Sequence, residues 1–362
     1  MKSQNIIVVG ASAGGFEAIK TLAAGLPTDL PAAVLMVWHM SPDVRGILPQ
    51  ALSRVTDLPV SHAFDGEEIV DGRIYVAPPD RHLIVEPGRV RVTRGPKENR
   101  FRPAVDPLFR SAALHYERNV IGVILSGALD DGSSGLWTVK LRGGTAVVQD
   151  PWDAEVPSMP ENAIRAVTVD HVVSVAEIPG LLVKLVHEEE QRAAAAGRAN
   201  GEAEVDDRRL ELEVGIASQD NALESGIMEY GELSPFACPE CHGVLSRLVE
   251  GKIVRYRCHT GHAFTADSLL ASITENIEDS LWTAIRGVDE SIMLLNHMGD
   301  HFAEVNQPSL AAMFFRKAQD ARERNELVRQ AVLSHEQLSL DSLREAIETE
   351  GDEPPAAAAR PN

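Results

Sequence analysis

The stretch NIIVVGASAGGFEAI, residues 5–19, constrains the fold more than any other part of this 362-residue chain. A fully apolar run leads into a serine flanked by glycine and alanine, and a helical pattern follows. Apolar runs of this kind are typical of strands buried on both faces of a parallel sheet. The turn has two interpretations: a glycine-rich loop for a dinucleotide phosphate, or an elbow that presents Ser12 as a nucleophile.

The same alternation of short apolar runs and helical stretches continues to about residue 187. It predicts an α/β fold with a doubly wound, mostly parallel sheet over residues 1–187. Closely spaced strands and turn residues between 60 and 100 predict an antiparallel insertion. The predicted strands are Ile6–Val9, Ala33–Trp38, Arg73–Val76, His82–Val85, Val120–Leu125, Thr145–Val148 and Val172–Val173.

The pattern changes after residue 187. Residues 188–235 are charged, alanine-rich and poor in large apolar side chains, so they predict an acidic linker. Residues 236–266 hold all the cysteines and predict a small module, and residues 267–345 predict a helical hairpin. Residues 346–362 predict a disordered tail. The apolar stripe of the hairpin consists of Leu281, Ile285, Val288, Ile292 and Leu295, and a second helix is predicted from Leu310 to Leu333.

Charge and cysteine content limit the possible partners and location. The formal net charge is −20, of which residues 1–190 carry −6 and the remainder −14. This acidity argues against nucleic acid as the main partner. No run approaches the roughly 20 apolar residues of a membrane-spanning helix. Three cysteines confined to residues 238–258 do not form a disulfide framework, so a reducing cytoplasm is expected.

Polar side chains stand at three predicted strand ends. Ser12 follows the first strand, His39 closes the second, and Asp131 follows the apolar run VIGVIL. Parallel strands place their carboxyl ends at one edge of the sheet, where a serine nucleophile, a histidine base and an orienting aspartate could meet. The backbone N–H groups of Ala13 and Gly14, at the helix start, could stabilise an oxyanion.

A dinucleotide site is the alternative at the first turn. Gly10-x-Ser12-x-x-Gly15 is a degraded version of the phosphate-binding pattern, with serine at the second glycine. The second strand ends in Trp38-His39 and offers no carboxylate for a ribose. The elbow interpretation is therefore favoured, and the alternative would be a dinucleotide-binding oxidoreductase.

The cysteine segment has the spacing of a metal site. Cys238-x2-Cys241 is followed after sixteen residues by Cys258-x3-His262. Two such pairs suit tetrahedral Zn²⁺, with no position left open for chemistry. His242 and His259 compete with His262 as the fourth ligand, and a redox Cys-x-x-Cys is the rival interpretation.

Several separate motifs resemble one family. They are VVGASAGGFEAIKTL, VWHMSPD, YVAPPDRHLIV, RPAVDPLFRSAA, VILSGALDDGSSGL and QDPWDAEVPSMPENAI, and together they are similar to the catalytic domain of the chemotaxis protein-glutamate methylesterases, the CheB family. The resemblance covers about residues 4–187. It implies a serine hydrolase that removes methyl groups from glutamate methyl esters on chemoreceptors and also deamidates glutamines.

The resemblance assigns roles to single residues. It implies a catalytic triad of Ser12, His39 and Asp131, with Asp130 at a variable position, and it implies no catalytic cofactor. Arg100 and Arg102 stand where the family has basic residues near the site, and are substrate-contact candidates. Solvated loop arginines are the plain alternative for both.

The cysteine segment resembles the module CPxCxG…CxxGHAF that follows some esterases of this family. The resemblance implies His262 as the fourth ligand of a structural Zn²⁺. The module and the hairpin are expected to bind a chemoreceptor or a chemotaxis signalling protein.

The chain departs from the family pattern in three ways. Ala13 replaces a frequent threonine, and residues 126–129 read SGAL where the family has TGMG. The first catalytic strand begins at residue 6, so we expect no phospho-receiver domain before it. The departures keep open a second alternative, a catalytically weak signalling adaptor.

Overall fold

The computed structural model describes residues 4–39, 47–195, 207–219, 221–335 and 338, and within these ranges the side chains of 189–195 are not described. The chain divides into two compact units, Met1–Leu269 and Leu270–Asn362. The predicted disordered tail, 346–362, lies outside the described residues.

A seven-stranded sheet forms the centre of the first unit. Its order is β3-β4-β2-β1-β7-β8-β9, and every neighbouring pair is parallel. The sheet confirms the predicted α/β class. Its strands are β1 (Asn5–Ala11), β2 (Ala32–Trp38), β3 (Val60–His62), β4 (Ile74–Val76), β7 (Val120–Ile124), β8 (Thr145–Gln149) and β9 (His171–Val173), and between β4 and β7 the chain forms β5 (His82–Glu86) and β6 (Arg89–Thr93).

Helices cover both faces of this sheet. Successive β1 side chains alternate between the two resulting cores, with Ile6 and Val8 in one and Ile7 and Val9 in the other. This double burial explains why the strand is apolar throughout. The helices are α1 (Gly15–Ala24), α2 (Ile47–Leu52), α3 (Val105–Tyr116), α4 (Ser133–Leu141), α5 (Ser158–Ala166) and α6 (Ile178–Ala195).

The predicted antiparallel insertion over 60–100 is correct only in part. β5 and β6 form an antiparallel hairpin, but β3 and β4 pair in parallel and extend the main sheet. Each has only three residues. Strands that short carry no periodicity that would separate the two arrangements.

The predicted linker over 188–235 contains a packed helix, which corrects that prediction. Helix α7 (Asp207–Ala217) places Leu210 and Val214 against Ile84 of β5. Its Glu213 is 2% exposed. The helix can pack against the sheet domain with few apolar side chains, because its buried face also carries the ion-paired carboxylate of Glu213.

A four-stranded antiparallel sheet, the cysteine module, completes the first unit. Its strands are β10 (Glu232–Ala237), β11 (Val244–Glu250), β12 (Ile253–Cys258) and β13 (Ala263–Thr265). Buried ion pairs link this module to α7 and, through Glu98 and Glu213, to Arg110 of α3. Glu213 Oε2 lies 2.8 Å from Arg255 Nη1 and 3.0 Å from Arg257 Nη2. The ion cluster includes Glu98, Glu213, Glu250, Arg110, Arg209, Arg255 and Arg257.

The predicted helical hairpin is formed by α8 (Ala266–Glu304) and α9 (Pro308–Leu333), and it belongs to the second unit from Leu270 onwards. The two helices are joined by a short turn in which Asn306 has a left-handed φ of 60°. Asp289 on α8 accepts hydrogen bonds from Asn325 and Arg329 on α9, which helps to fix the register of the pair. Among the described residues, no helix has the length and apolar character needed to cross a bilayer.

Candidate active site

Three strands that are adjacent in the sheet bring the candidate catalytic side chains together. β1 is flanked by β2 and β7, and the chain leaves it first towards one side and later towards the other. Open α/β sheets have their sites at the carboxyl end of such a switch point. Ser12 follows β1 and His39 follows β2, while Asp131 stands in the loop after β7.

A hydrogen-bonded chain joins these three residues. His39 Nδ1 lies 3.2 Å from Ser12 Oγ, and His39 Nε2 lies 2.8 Å from Asp131 Oδ2. An ionised carboxylate only accepts hydrogen bonds, so the ring proton belongs on Nε2. Nδ1 then carries the free lone pair and faces the Ser12 hydroxyl, as a general base requires.

Asp131 is buried in a set of donors. Its carboxylate accepts hydrogen bonds from the N–H of Val105 at 2.7 Å and from the side-chain amide of Asn99 at 2.9 Å. Burial by itself would raise the pKa of Asp131, but the His39 hydrogen bond and charge, with the Val105 and Asn99 donors, hold that pKa below its usual range. The arrangement therefore favours an ionised Asp131 beside the ring.

A second buried carboxyl, Asp106, lies next to Asp131. Asn99 donates to its Oδ2 at 2.9 Å, and the N–H of Gly135 donates to its Oδ1 at 2.6 Å. Burial, followed by the negative charge of Asp131, raises the pKa of Asp106 to about 7. The two neighbours thus differ in their affinity for a proton, and Asp131 is the one that stays charged.

The elbow geometry depends on close backbone approach. Gly14 has a left-handed φ of 67° and precedes helix α1. A Cβ on Gly127 would come within 2.9 Å of Ser12 Cβ and 2.4 Å of Met159 Sδ, so the loop after β7 passes directly over the serine. The N–H groups of Ala13 and Gly14 donate no hydrogen bond within the described part of the chain. They are therefore available as donors beside Ser12.

Sequence reasoning missed two neighbours of the triad. The ring of Phe101 stacks on His39, with centroids 3.7 Å apart and planes inclined by 11°. Asn99 is 2% exposed and contacts Asp131. Both belong to the segment ENRFRP in which only the arginines stood out. No local signal marked the turn that holds them, because Arg100 stands where a type I′ turn usually has glycine.

The two arginines of that segment differ. Arg102 donates to Asp80 and, at 2.9 Å, to the carbonyl of Gly95, and its side chain is 16% exposed. These contacts favour a structural role for Arg102. Arg100 has a left-handed φ of 77°, an unusual backbone conformation for a residue other than glycine.

The structure also brings together the four residues of the candidate metal site. One ligand atom from each of Cys238, Cys241, Cys258 and His262 lies within 4.8 Å of every other. Cys241 Sγ is 3.6 Å from Cys258 Sγ, and Cys258 Sγ is 3.6 Å from His262 Nδ1. A tetrahedral Zn²⁺ with bonds of about 2.3 Å to sulfur needs edges of roughly 3.8 Å, so the donor set fits.

The competing histidines lie outside this cluster. The His259 ring packs on Gly243, where a Cβ would come within 2.3 Å of the ring. His242 takes a left-handed φ of 61° in the turn after Cys241. Among the described residues, the group that could hold a metal includes His262 and neither rival.

The chain is similar in sequence to several known proteins. Residues 7–182 match the family described as CheB methylesterase. A Leptospira interrogans protein, provisionally named as a protein-glutamate methylesterase/protein-glutamine glutaminase, is 41% identical over 180 residues, which are 49% of this chain and 93% of that protein. The Anaeromyxobacter dehalogenans protein-glutamate methylesterase/protein-glutamine glutaminase 5 is 39% identical over 187 residues, 51% of each chain.

A solved structure also matches. The crystal structure of the Thermotoga maritima CheB methylesterase catalytic domain is 36% identical, with a TM-score of 0.49, and the match covers 51% of this chain and all of that one. The region shared with the Anaeromyxobacter relative is about half of that relative's length.

The sheet is parallel and doubly wound, and a serine, a histidine and a carboxylate are hydrogen-bonded in series at its switch point. This arrangement is typical of α/β serine hydrolases. The similarity to the Leptospira protein extends over nearly that protein's whole length. The chain therefore belongs to the CheB methylesterase family.

Proposed function

We propose that this protein is a serine hydrolase that removes methyl groups from glutamate methyl esters on chemoreceptors and deamidates receptor glutamines. The observation that carries the proposal is the chain Ser12 Oγ, His39 Nδ1, His39 Nε2, Asp131 Oδ2, with distances of 3.2 and 2.8 Å. The substrate class comes from the names of the relatives, which read protein-glutamate methylesterase/protein-glutamine glutaminase.

The mechanism follows from the positions of the three groups. Ser12 Oγ attacks the ester carbonyl carbon while His39 Nδ1 takes the hydroxyl proton. Asp131 keeps Nε2 protonated and stabilises the imidazolium that forms. The N–H groups of Ala13 and Gly14 donate to the oxyanion. The proton then passes from His39 to the departing methoxide, so methanol leaves and a Ser12 acyl-enzyme remains.

Water completes the cycle. His39 Nδ1 removes a proton from a water molecule, which attacks the acyl carbon. The proton then passes from His39 to Ser12 Oγ as the acyl bond breaks, which releases a glutamate carboxyl group and free Ser12. With a glutamine side chain the same steps release ammonia. The amide nitrogen is a poorer leaving group than methoxide and depends more on protonation by His39. Amide turnover should therefore be the slower reaction.

The proposal extends to partners and to the metal. Arg100 and Arg102 stay candidate contacts for an acidic receptor surface, and the ion pair of Arg102 with Asp80 favours a structural role for Arg102. We propose that Cys238, Cys241, Cys258 and His262 hold a structural Zn²⁺, which would fold the cysteine module. Chemotaxis signalling proteins as further partners and a cytoplasmic location both stay predictions.

The two alternative functions make different predictions. A dinucleotide-binding oxidoreductase needs Ser12 as a phosphate contact, but its hydroxyl faces His39. A signalling adaptor needs no turnover, yet the described site keeps a complete chain of nucleophile, base and carboxylate. The hydrolase is therefore the better supported function.

The deciding experiment measures methanol release from methylated chemoreceptor membranes. Wild type should release methanol, and Ser12→Ala should not. Ser53→Ala, which removes an exposed serine hydroxyl of similar size, serves as the matched control and should behave as wild type. Absence of release from folded wild type would overturn the proposed function. Equal release from Ser12→Ala would exclude Ser12 as the nucleophile.

A further inference from the structure

A two-residue turn, Asn99-Arg100, forms hydrogen bonds with both the sheet domain and the cysteine module. Glu98 and Phe101 exchange backbone hydrogen bonds of 3.2 and 2.9 Å. The central residues, Asn99 and Arg100, have φ values of 48° and 77°, which is the left-handed pair that a type I′ turn requires. Asparagine is among the few side chains that accept such a backbone easily.

The side chain of Asn99 uses all of its hydrogen-bonding capacity. Its amide nitrogen donates to Asp131 Oδ1 and to Asp106 Oδ2, each at 2.9 Å. Its oxygen accepts from the N–H of Thr265 at 3.0 Å and from the Ser268 hydroxyl at 3.2 Å. An amide offers two donors and two lone pairs, so this residue is fully satisfied and its orientation is determined.

The cysteine module also holds the backbone of the turn. The Asn99 N–H donates to the carbonyl of Ala263 at 2.8 Å, and the Ala263 N–H donates to the carbonyl of Lys97 at 3.3 Å. Ala263 and Thr265 belong to β13, directly after the candidate metal ligand His262. These residues lie beyond 7–182, the range that matches the family.

Asn99 also has an electrostatic effect on the carboxylate that serves His39. Asp106 and Asp131 are both almost completely buried, and the Asn99 amide donates to one oxygen of each. A shared donor reduces the repulsion between two adjacent carboxylates. The titratable groups that interact electrostatically with Asp131 include His39, His82, Asp106 and Asp130.

We propose that Asn99 is a positioning residue for Asp131, and that the cysteine module completes the catalytic site by holding Asn99 in place. The inference rests on the proposed hydrolase function and adds to it a contribution from outside the family domain. Asn99 touches no reacting atom. It acts through Asp131, which in turn orients His39.

Two substitutions separate the inward and outward contacts of Asn99. Asn99→Gly removes both while keeping the left-handed backbone free of strain. Asn99→Asp keeps the acceptor towards Thr265 and Ser268 but replaces the donor with a charge that faces two carboxylates. Asn306→Gly is the matched control because Asn306 is an exposed asparagine with a similar φ of 60°.

The expected result is a change in rate and in pH dependence together. For Asn99→Gly, kcat for methanol release should fall about 10- to 100-fold with little change in KM, because the misplaced carboxylate no longer holds the ring in register. Loss of the donated hydrogen bond should raise the pKa of Asp131. The acid limb of the kcat/KM profile should therefore move to higher pH, and further in Asn99→Asp. Wild-type kcat and an unmoved acid limb in both variants would overturn the proposal.

A spectroscopic measurement separates this inference from the proposed function. The proton on His39 Nε2, bonded to Asp131, should give a downfield ¹H NMR signal whether or not the substrate has been identified. Asn99→Asp should shift that signal or broaden it by exchange, and Asn306→Gly should not. If wild type is inactive but Asn99→Asp alters the signal, only the proposed function is overturned. If the signal is unchanged in Asn99→Asp, the role of Asn99 is overturned. Ser268→Ala is the fallback variant if Asn99→Gly does not fold, because it removes one donor to Asn99. It should change the His39 signal in the same direction as Asn99→Asp, but by less. An unchanged signal in Ser268→Ala would also overturn the proposal.

Discussion

His39 Nε2 and Asp131 Oδ2 are 2.8 Å apart, and their side chains are only 3% and 1% exposed. This pair indicates that the ring proton is on Nε2, because an ionised carboxylate accepts hydrogen bonds and cannot donate one. It leaves Nδ1 to face Ser12, 3.2 Å away. The rate of any reaction at Ser12 should therefore depend on the charge of one particular aspartate.

Asp131→Asn should reduce kcat for methanol release by about 10³- to 10⁴-fold, because an amide in this place can hold the wrong histidine tautomer. Asp130→Asn is the matched control. Asp130 is adjacent in sequence but accepts a hydrogen bond from Thr265 at 2.7 Å instead of contacting the ring. It should stay within about threefold of wild type. Equal losses in the two variants would contradict the assignment of Asp131.

Phe101→Ala should lower kcat by about tenfold, because the ring of His39 would lose the stacked surface that limits its rotation. Substrate binding should change less than kcat. Phe64→Ala, at a phenylalanine that is 68% exposed, should leave kcat unchanged. Steady-state kinetics of methanol release measures both quantities. A rise in KM with kcat unchanged would show that Phe101 contacts the substrate instead of supporting the base.

His262→Ala should release the metal that we propose for the cysteine module. The ligand set would drop from four to three, and zinc measured by atomic emission should fall from about one per chain to well below that value. The melting temperature should fall as well, because metal binding contributes directly to the folding of such modules. His259→Ala should keep its zinc, since His259 lies against Gly243. The reverse pattern would reassign the fourth ligand.

The sequence predicted the elements that depend on local pattern. Apolar runs such as Ile6–Val9 are buried on both faces, so their composition alone marks them as central strands. The polar residues after β1 and β2 could be placed at one sheet edge from the parallel topology. The two close pairs of metal-ligand candidates were recognisable because ligand spacing within each pair is local.

The rest depends on contacts that are distant in sequence. Helix α7 looked like part of a linker because Glu213 appears as one more charged residue, yet it is buried against Arg255, 42 residues later. Asn99 showed no local sign of its role, because the N–H that holds its side-chain oxygen belongs to Thr265, 166 residues away. Its turn has arginine where glycine is usual, which concealed the type I′ pattern.

Glu213→Gln should lower the free energy of unfolding by about 3–5 kcal/mol, because it leaves buried guanidinium groups without their counter-charge. Glu213 Oε2 lies 2.8 Å from Arg255 and 3.0 Å from Arg257, and all three side chains are nearly inaccessible to solvent. Glu17→Gln disrupts the exposed pair with Lys20 and should change that free energy by less than about 1 kcal/mol. Urea denaturation followed by circular dichroism measures both. Similar effects would mean that the buried cluster is hydrated in solution.

The free energy of unfolding should also fall at acid pH, and the pKa of Glu98 should set the pH range of this fall. Burial would raise the pKa of this carboxyl, but Arg110, Arg257 and Arg255 lower it from 4.5 to about 2. A group whose pKa is lower in the folded state stabilises the fold above its unfolded pKa. That contribution is therefore complete above pH 4.5 and is lost as the pH falls towards 2.

Urea denaturation at several pH values within this range tests the prediction. Each proton taken up on unfolding changes the free energy of unfolding by about 1.4 kcal/mol per pH unit, so Glu98→Gln should make the dependence shallower by up to that amount. The comparison uses the slope, because Glu98→Gln also lowers the stability at every pH. Glu17→Gln should keep the wild-type slope, since the Glu17 side chain is 69% exposed in the folded protein. An unchanged slope in Glu98→Gln would mean that Glu98 does not bind a proton on acid unfolding, and the ion cluster would then owe its acid sensitivity to Glu213.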